Sequence, residues 1–335
     1  MKILIIFNDD TQASEEPDSS FVCFESRKSI HNVALSVAAA LNKVDFHDIE
    51  IAPIQSLSDI EQAALIHSPG LIFNLCESLG GDAAHEIAIA QTLEALKIPF
   101  TGNSSKALAF ALDKFECNQL LATADIPVPH SFLIESLTDL ENVTLNHSKY
   151  IIKPNNEDGS TGIDDNSVIE NFEELSSKVH ALFAHGPRRL IVQEFIGGRE
   201  INFAFLGASE NIHWCTSEII FDPAILAKHN ILCYASKWSP DSDHFKRSKS
   251  SPVILSDELK ERLMFSVSRA AEVLDITSYA RIDFKVDDHG QPYIIDVNPN
   301  CDLSPEAGMT LANNFIGISY EQLVRSIVLK ALEPV

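Results

Sequence analysis

The chain has 335 residues, 45% of them apolar, and a formal net charge of −23. It is long enough to bury a core in two or three domains, and so acidic a chain lacks the basic face that a general nucleic-acid partner requires. No apolar run approaches the roughly 20 residues that cross a bilayer, and the cysteines form no Cys-x-x-Cys pair. The sequence therefore predicts a cytoplasmic protein with reduced cysteines and with neither a membrane nor a nucleic-acid partner.

The N-terminal third alternates patterns that are typical of strands and helices. Apolar residues recur at helical spacing around 30–41 and again around 85–96. Short apolar runs predict strands at 2–7, 49–54, 71–75 and 98–100. This βαβ rhythm predicts a parallel sheet with helices on its faces. No G-x-G-x-x-G follows the first strand, which argues against a dinucleotide-binding fingerprint.

The rest of the chain mixes longer helices with pairs of strands. A helix is predicted over 106–124, and it ends before Ile126-Pro127-Val128-Pro129, because proline cannot continue a helix. Further helices are predicted at 172–183, 259–273 and 320–332, and strands at 149–153, 190–195, 201–206, 279–286 and 293–297. The polar stretch 239–251 is predicted to be a loop.

The strongest local signal is a pair of strands, 280–286 and 293–300, joined by a polar turn. Because side chains alternate along a strand, Asp283 shares a face with Arg281. On the partner strand Asp296 shares a face with Asn298, and antiparallel pairing can bring the two carboxylates together. One or two carboxylates, completed by phosphate oxygens and water, suit Mg²⁺. A surface hairpin with a polar solvent face would show the same alternation, so that alternative stays open.

A second signal is Lys153 at the end of an apolar strand, followed by a loop that contains Gly159 and Gly162. A lysine at a strand end can place its ammonium on a phosphate, and glycines let backbone N–H groups approach phosphate oxygens. The spacing is not that of a P-loop, and a simple turn would also explain the glycines. Lys114, inside the predicted helix 106–124, has an ordinary exposed helical lysine as its alternative.

Taken in order along nearly the whole chain, these pieces resemble the D-alanine–D-alanine ligase family of ATP-grasp enzymes. The matching segments are Phe73-Asn74-Leu75, Gly80-Gly81-Asp82, Pro99-Phe100-Thr101-Gly102, Asp113-Lys114, Ile126-Pro127-Val128-Pro129, Lys153-Pro154, Gly159-Ser160-Thr161-Gly162, Gly198-Arg199-Glu200, Arg281-Ile282-Asp283 and Asp296-Val297-Asn298. Several segments in the right order are far more specific than any one of them.

The resemblance implies an α/β (α+β) architecture, in which a Rossmann-like parallel-sheet domain precedes an ATP-grasp fold. It implies an N-terminal domain at 1–106, a central ATP-grasp subdomain at 107–192, and a C-terminal subdomain with the metal and substrate site at 193–335. It further implies ATP and Mg²⁺ as cofactors, with Mn²⁺ as an alternative metal, and amino-acid or peptide substrates. Family members are commonly homodimers, so a homodimer is expected as well.

The resemblance also assigns roles to individual residues. The implied ATP-binding residues are Lys114, Lys153, Gly159, Thr161, Gln193, Phe195, Ile196 and Glu200. The implied metal ligands are Asp283, Asp296 and Asn298, and the implied catalytic residues are Arg281, Lys237, Ser160 and Glu25. Within this set, Lys114 and Lys153 would hold the α- and β-phosphates, and Lys237 the γ-phosphate. Glu200 would hold the ribose hydroxyls, and Glu25 would anchor the amine of the first substrate.

Three places depart from the dipeptide-forming members of that family. Cys76-Glu77 stands where those members carry a histidine, and Trp238 stands at their active-site tyrosine. The segment 298–305 lacks their Pro-Gly, and Ala307 falls near their serine. All of these positions shape amino-acid pockets. The sequence therefore predicts that the ATP and metal machinery is kept and that the substrate pocket is altered.

The predicted function is an ATP- and Mg²⁺-dependent ligase that joins a carboxylate to an amine through an acyl-phosphate. A small-molecule kinase on the same fold would stop after phosphoryl transfer and would need no amine. A regulatory protein that binds nucleotide without turnover has little use for so many groups aimed at a transferring phosphate. A purely structural α/β protein is a further alternative.

Overall fold

The structure is a computed structural model that describes residues 1–10, 24–186, 189–207, 213–225 and 228–333. It contains a parallel three-stranded sheet near the N-terminus and two antiparallel sheets of four and five strands. This mixture of helices with parallel and antiparallel sheets confirms the predicted fold class. Across the described ranges, no helix is both long and apolar enough to cross a membrane.

The N-terminal sheet has the strand order β2-β1-β3, with all strands parallel. Its strands are β1 (Ile3–Asn8), β2 (Ile49–Ile54) and β3 (Leu71–Asn74), and its helices are α1 (Phe24–Lys43), α2 (Leu57–His67) and α3 (His85–Leu96). The central strand β1 is buried along its whole length, which explains why its sequence is an unbroken apolar run. The strand predicted at 98–100 is a single bridge from Phe100 to Ile72.

The prediction of one continuous helix over 106–124 is wrong, because the structure has two helices there. They are α4 (Ser105–Leu112) and α5 (Lys114–Thr123). The chain leaves helical geometry at Asp113, whose ψ is 94° and whose side chain accepts a hydrogen bond from the backbone N–H of Glu116. An aspartate in this position caps a new helix, and a continuous apolar pattern cannot reveal such a break.

The four-stranded antiparallel sheet has the order β4-β7-β5-β6. Its strands are β4 (Ser131–Ile134), β5 (Tyr150–Pro154), β6 (Val168–Ile169) and β7 (Leu190–Glu194). A 3₁₀ helix, Leu137–Asn142, and helix α6, Phe172–His185, complete this unit. Helix α6 buries Leu175, Val179 and Leu182 against Ile152 and Val192 of the sheet.

The five-stranded antiparallel sheet has the order β10-β9-β8-β11-β12. Its strands are β8 (Arg199–Leu206), β9 (His213–Phe221), β10 (Ser248–Pro252), β11 (Tyr279–Val286) and β12 (Pro292–Pro299). The helices of this part are α7 (Tyr234–Trp238), α8 (Asp243–Arg247), α9 (Asp257–Val273), α10 (Gly308–Phe315) and α11 (Tyr320–Ala331).

The prediction that 239–251 is a loop is wrong. The stretch contains helix α8 and strand β10, which pairs with β9 along its whole length. Ser242 caps α8 by accepting a hydrogen bond from the backbone N–H of Phe245. Strand β10 lies at the edge of the sheet. An edge strand can be polar, because backbone hydrogen bonds to its one neighbouring strand hold it in place without an apolar pattern.

The N-terminal sheet shares a hydrophobic core with the C-terminal part of the chain. Ile5 and Val37 belong to the same buried cluster as Leu206, Met309 and Ile327. Lys43 of α1 also lies 2.9 Å from the carboxylate of Glu321 in α11. The domain boundaries at 106/107 and 192/193 stay a prediction. The three-stranded and five-stranded sheets each lie within one predicted segment, whereas β7 of the four-stranded sheet continues past residue 192 to Glu194.

Candidate active site

A cleft lies between the four-stranded and the five-stranded sheets and encloses about 870 Å³, part of it open to solvent. Its walls come from β5 and β7 on one side and from β8, β11 and β12 on the other. The structure brings most of the predicted site residues into this cleft. The predicted residues that line it are Lys114, Lys153, Gly159, Ser160, Thr161, Gln193, Phe195, Ile196, Glu200, Lys237, Asp283 and Asp296.

Strands β11 and β12 form the predicted hairpin, and their register joins the predicted metal ligands. Asp283 pairs directly with Asp296, and Arg281 pairs with Asn298. On the other side of β11, Asp283 lies opposite Asn202 of β8. All five polar residues therefore belong to three neighbouring strands, as antiparallel pairing requires.

The hairpin also contains a β-bulge that the sequence pattern does not predict. Ile295 is an extra residue in β12, because the register shifts just after the pair formed by Asp283 and Asp296. The bulge lets two successive residues, Ile295 and Asp296, line the cleft. It also frees the carbonyl of Ile295, which accepts a hydrogen bond of 3.0 Å from Nζ of Lys153.

Both oxygens of the Asp283 carboxylate are held by neighbouring side chains. Arg281 donates from Nε to Oδ1 at 2.7 Å and from Nη2 to Oδ2 at 2.9 Å. Asn202 donates to Oδ1 at 2.6 Å, and Asn298 donates to Oδ2 at 3.3 Å. The pKa of Arg281 is raised, because Asp283 outweighs the opposing effect of burial.

The donor set at this hairpin fits Mg²⁺. Two carboxylates, Asp283 and Asp296, lie opposite each other, and the amide of Asn298 is within hydrogen-bond distance of the first. The described residues contain no group of three or more His, Cys, Asp or Glu side chains that could hold a metal by themselves. A cation here would need phosphate oxygens and water to complete its shell, which is how Mg²⁺ is usually bound beside phosphates.

Lys114 and Lys153 face Asp296 from the opposite wall. Nζ of Lys114 lies 2.7 Å from Asp158 and 3.4 Å from Asp296. Burial alone would lower the pKa of Lys114, but these two carboxylates outweigh it and raise the pKa. For Lys153 burial prevails and the pKa is lowered, although Asp296 opposes it. Burial acts to raise the pKa of Asp296, yet the neighbouring lysines and arginine bring it down to about 2.

The break between α4 and α5 places Lys114 in the cleft. Lys114 is the first residue of α5, and its backbone N–H donates to the carbonyl of Asn155 at 3.1 Å. The Asp113 cap is itself fixed by Asn155 at 2.8 Å and by Arg189 at 2.6 Å. The side chain of Lys114 is only 9% exposed, so the alternative of an ordinary surface lysine is wrong.

The glycine-bearing loop is tied to the segment that carries Lys237. Trp238, at the end of α7, donates from Nε1 to the carbonyl of Gly159 at 3.0 Å. Ser160 donates from Oγ to the carbonyl of Leu232 at 2.9 Å. Gly159 has a φ of +64°, a conformation that glycine adopts without strain. Burial and the charge of Arg281 lower the pKa of Lys237.

Predicted nucleotide residues also lie together at the end of β7 and the start of β8. Gln193 is buried, and Phe195 and Ile196 follow it along the cleft wall. Glu200 lies 2.8 Å from Nζ of Lys285, and each of these side chains is 7% exposed. Lys285 was missed by sequence reasoning, although alternation with Arg281 and Asp283 along β11 would have placed it on the same face.

Two of the three places that depart from the family pattern, 76–77 and 298–305, lie on the N-terminal side of the site, whereas the third, Trp238, contacts the glycine-bearing loop. Asn300, with a φ of +54°, accepts a hydrogen bond from the backbone N–H of Asn103 at 2.7 Å and donates to Glu86 at 3.1 Å. Cys76 is buried, and Glu77, which follows it, is exposed. Glu25 belongs to α1, but its side chain lies outside the described residues, so its predicted role stays a prediction.

Comparison with known proteins agrees with this geometry. The family model described as D-ala D-ala ligase C-terminus matches residues 120–329. The chain is 26% identical over 333 residues to a D-alanine–D-alanine ligase of Halalkalibacterium halodurans, and the match covers 98% of both proteins. It is 27% identical over 303 residues to a D-alanine–D-alanine ligase of Desulforudis audaxviator, with 89% of this chain and 92% of that protein covered.

Two solved structures show the same fold over the whole chain. The ATP complex of the D-alanine–D-alanine ligase from Bacillus anthracis has a TM-score of 0.72 at 19% identity, covering 99% of this chain and 97% of that one. The VanG D-Ala:D-Ser ligase from Enterococcus faecalis has a TM-score of 0.69 at 17% identity, covering 99% of both chains. Because the family model matches more than half of the chain, the chain belongs to the D-alanine–D-alanine ligase family of ATP-grasp proteins.

Proposed function

We propose that the protein is an ATP- and Mg²⁺-dependent ligase that joins a carboxylate to the amine of an amino acid or small peptide. The observation that carries the proposal is the meeting of Lys114 and Lys153 with Asp296 across one cleft. Such an arrangement suits a polyphosphate with a bound cation, because lysines and metal together offset the phosphate charge. The relatives named as D-alanine–D-alanine ligases support the same reaction class.

The reaction begins at the γ-phosphate. An oxygen of the first substrate's carboxylate attacks the γ-phosphorus, the bond to the β,γ-bridging oxygen breaks, and ADP leaves with that electron pair. The product is an acyl-phosphate, whose leaving group is far better than the oxide of a free carboxylate. The amine of the second substrate then attacks the acyl carbon, phosphate departs, and the amine loses a proton as the amide forms.

The residues of the cleft would divide this work. Lys114 and Lys153 would hold the α- and β-phosphates, and Lys237 would hold the transferring phosphoryl group. Mg²⁺ held by Asp283, Asp296 and Asn298 would offset the negative charge of the phosphates. Arg281 would stabilise the charge that develops at phosphorus and, later, on the tetrahedral acyl carbon.

The turns around the cleft would control access. The loop that contains Gly159, Ser160 and Thr161 would lie over the phosphates, joined to Trp238 and Leu232 by the hydrogen bonds described above. Excluding water protects an acyl-phosphate from hydrolysis.

Gln193, Phe195 and Ile196 would form the adenine slot, and Glu200 would hold the ribose. Glu25 would anchor the amine of the first substrate. We further propose a cytoplasmic homodimer.

The test is Mg²⁺-dependent phosphate release from ATP against a panel of single D- and L-amino acids, pairs of them and short peptides. Release that requires one acid and one amine, with a product of the coupled mass, would establish the ligase and its substrates. ADP formed with one substrate and without free phosphate would indicate a kinase instead. Tight ATP binding with no turnover over a panel widened to other acids and amines would favour a regulatory role.

A further inference from the structure

Lys285 is a buried cation on the nucleotide side of the cleft that none of the predicted roles uses. Its backbone lies in β11 directly opposite Glu200 of β8, and both side chains line the cleft. Nζ of Lys285 lies 2.8 Å from Oε2 of Glu200 and 3.4 Å from the backbone carbonyl of Asn230. The ammonium therefore joins the floor of the cleft to the segment 228–232, of which Ile231 and Leu232 form part of the cleft wall.

The Lys285–Glu200 pair is not part of the hydrophobic core of the sheet. The residues on either side of Lys285 in β11, Phe284 and Val286, are buried in that core on the opposite face. Removing a lysine and a carboxylate from water is unfavourable, and an apolar pair of similar size often stabilises a protein as well or better. The role of the Lys285–Glu200 pair is therefore to be sought in the cleft that it faces.

The pair leaves part of the Glu200 carboxylate available to a ligand. Lys285 contacts Oε2, and no hydrogen bond from the described residues reaches Oε1. A carboxylate that is held by a lysine through one oxygen keeps its negative charge and a fixed orientation, and its other oxygen can accept hydrogen bonds. A vicinal diol, with two adjacent O–H donors, is well suited to such an acceptor.

We propose that Lys285 is a positioning residue that orients Glu200 toward the 2′,3′-diol of the bound nucleotide and so determines selectivity for a ribonucleotide over a deoxyribonucleotide. The proposal rests on the proposed function, because it takes ATP as the ligand of the cleft. Lys285 acts through Glu200 and does not touch the reacting phosphate. Its effect belongs in nucleotide affinity and in the choice of sugar, whereas the chemical step at saturating ATP is unchanged.

The experiment compares the affinities for Mg²⁺-ATP and Mg²⁺-2′-deoxy-ATP, measured by calorimetry, in the intact protein and in Lys285→Met. Methionine keeps the length of the side chain and removes the charge. Hydrogen bonds to a charged acceptor change affinity by roughly tenfold or more, so the intact protein is expected to prefer ATP by at least that factor. In Lys285→Met the preference should fall to about twofold, mainly through weaker ATP binding.

Two further single variants and one double variant separate positioning from a general loss of structure. Lys249→Met removes an exposed lysine of β10 and should leave the preference unchanged. Glu200→Gln should reduce the preference as Lys285→Met does, and the double variant should reduce it no further, because residues that act through one contact are not additive. This comparison remains informative if Lys285→Met lowers the stability of the protein.

Steady-state kinetics add a readout that a merely structural role would not reproduce. KM for ATP should rise in Lys285→Met, kcat at saturating ATP should stay within about twofold, and Lys285→Arg should recover part of the ATP preference. If folded Lys285→Met keeps the intact protein's preference in affinity for ATP over 2′-deoxy-ATP, the inference about Lys285 is overturned, while the proposed function is unaffected. Failure of the intact protein to bind either nucleotide would overturn the proposed function, and the inference with it.

Discussion

The two sides of the active site differ in how their carboxylates are compensated. On the nucleotide side, burial acts to raise the pKa of Asp296, but the charges of Lys114, Lys153, Lys237 and Arg281 bring it down to about 2. On the N-terminal side, Glu77 lies near Asp302 and Asp158, and Glu86 shares a hydrogen bond with Asn300 at 3.1 Å. The nucleotide side therefore offsets its carboxylates with cations, whereas Glu77 and Glu86 on the N-terminal side have other carboxylates as charged neighbours.

The contrast explains which half the sequence describes better. Phosphate and Mg²⁺ are the same in every member of an ATP-dependent family, so the nucleotide side needs lysines and carboxylates of fixed type. The N-terminal side faces the substrates that differ between members, and it is there that Cys76, Glu77 and Asn300 depart from the family pattern.

The largest effect is expected from Asp296→Asn. Asp296 is both a proposed metal ligand and the carboxylate that lies 3.4 Å from Lys114, so the change removes a hard anionic donor and leaves buried lysines less compensated. We expect kcat/KM for ATP-dependent ligation to fall on the order of 10³-fold or more, with the circular dichroism spectrum unchanged. Asp288→Asn, on the exposed turn of the same hairpin, serves as the control. Normal activity in Asp296→Asn would refute the metal-site assignment.

Lys153→Met should have the next largest effect. Nζ of Lys153 donates to the carbonyl that the bulge at Ile295 exposes, and its charge faces the proposed phosphates. Loss of this charge should weaken ATP binding and turnover together by roughly 10²-fold, as measured by calorimetry and phosphate release. Lys149→Met, which removes a lysine paired with Glu170 at 2.9 Å, should change neither by more than about twofold. Equal effects of the two changes would contradict the assigned role.

Much of the fold could be predicted because its elements are strongly patterned. Helix α3 and strands β2 and β11 have the predicted bounds, since apolar periodicity and flanking turn residues mark their ends. Strand β10 could not be found, because its polar sequence is held by pairing with β9. The break at Asp113 was also hidden, because the apolar residues keep helical spacing on both sides of it.

In the active site, too, the features with a clear sequence pattern were predicted and those without one were not. Alternation along two strands was enough to predict that Asp283 and Asp296 meet, and the register confirms this pairing. The bulge at Ile295 was not predictable, since inserting one residue into a ladder leaves no mark in composition. For Lys285, alternation along β11 gives its face, but the pairing with Glu200 was not predictable, because Glu200 lies on a strand distant in sequence and only the fold brings the two together.

A smaller effect is expected from Trp238→Phe, which tests how the active-site cleft is closed off from water. The change removes the hydrogen bond from Nε1 of Trp238 to the carbonyl of Gly159, an interaction of about 1 kcal/mol. We expect kcat to fall by roughly fivefold, and the ratio of phosphate released to amide formed to rise above one as water reaches the acyl-phosphate. The chain's other tryptophan provides the control, because Trp214 stacks on Phe203 in a separate core. If Trp238→Phe still releases one phosphate for each amide formed, this contact does not exclude water from the cleft.

The smallest effect concerns the carboxylates of the N-terminal side and the pH dependence of stability. Desolvation by the surrounding residues, together with Asp302 and Asp158, raises the pKa of Glu77 to about 8, although the side chain itself remains accessible. The unfolded chain loses this proton near pH 4.5, whereas the folded protein keeps it to a higher pH. Folding therefore retains a proton between these values, and the free energy of unfolding must fall as pH rises through that window and level off above it.

Glu77→Gln removes this titration and isolates its contribution. Thermal unfolding of both proteins at pH 5, 6.5, 8 and 9 should show a midpoint difference in favour of the variant that grows up to about pH 8 and then stays constant. Glu61→Gln, on the exposed face of α2, should run parallel to the intact protein throughout. A constant difference for Glu77→Gln would mean that neither desolvation nor the neighbouring carboxylates raise the pKa of Glu77 in the folded protein. The two sides of the active site would then not differ in this respect.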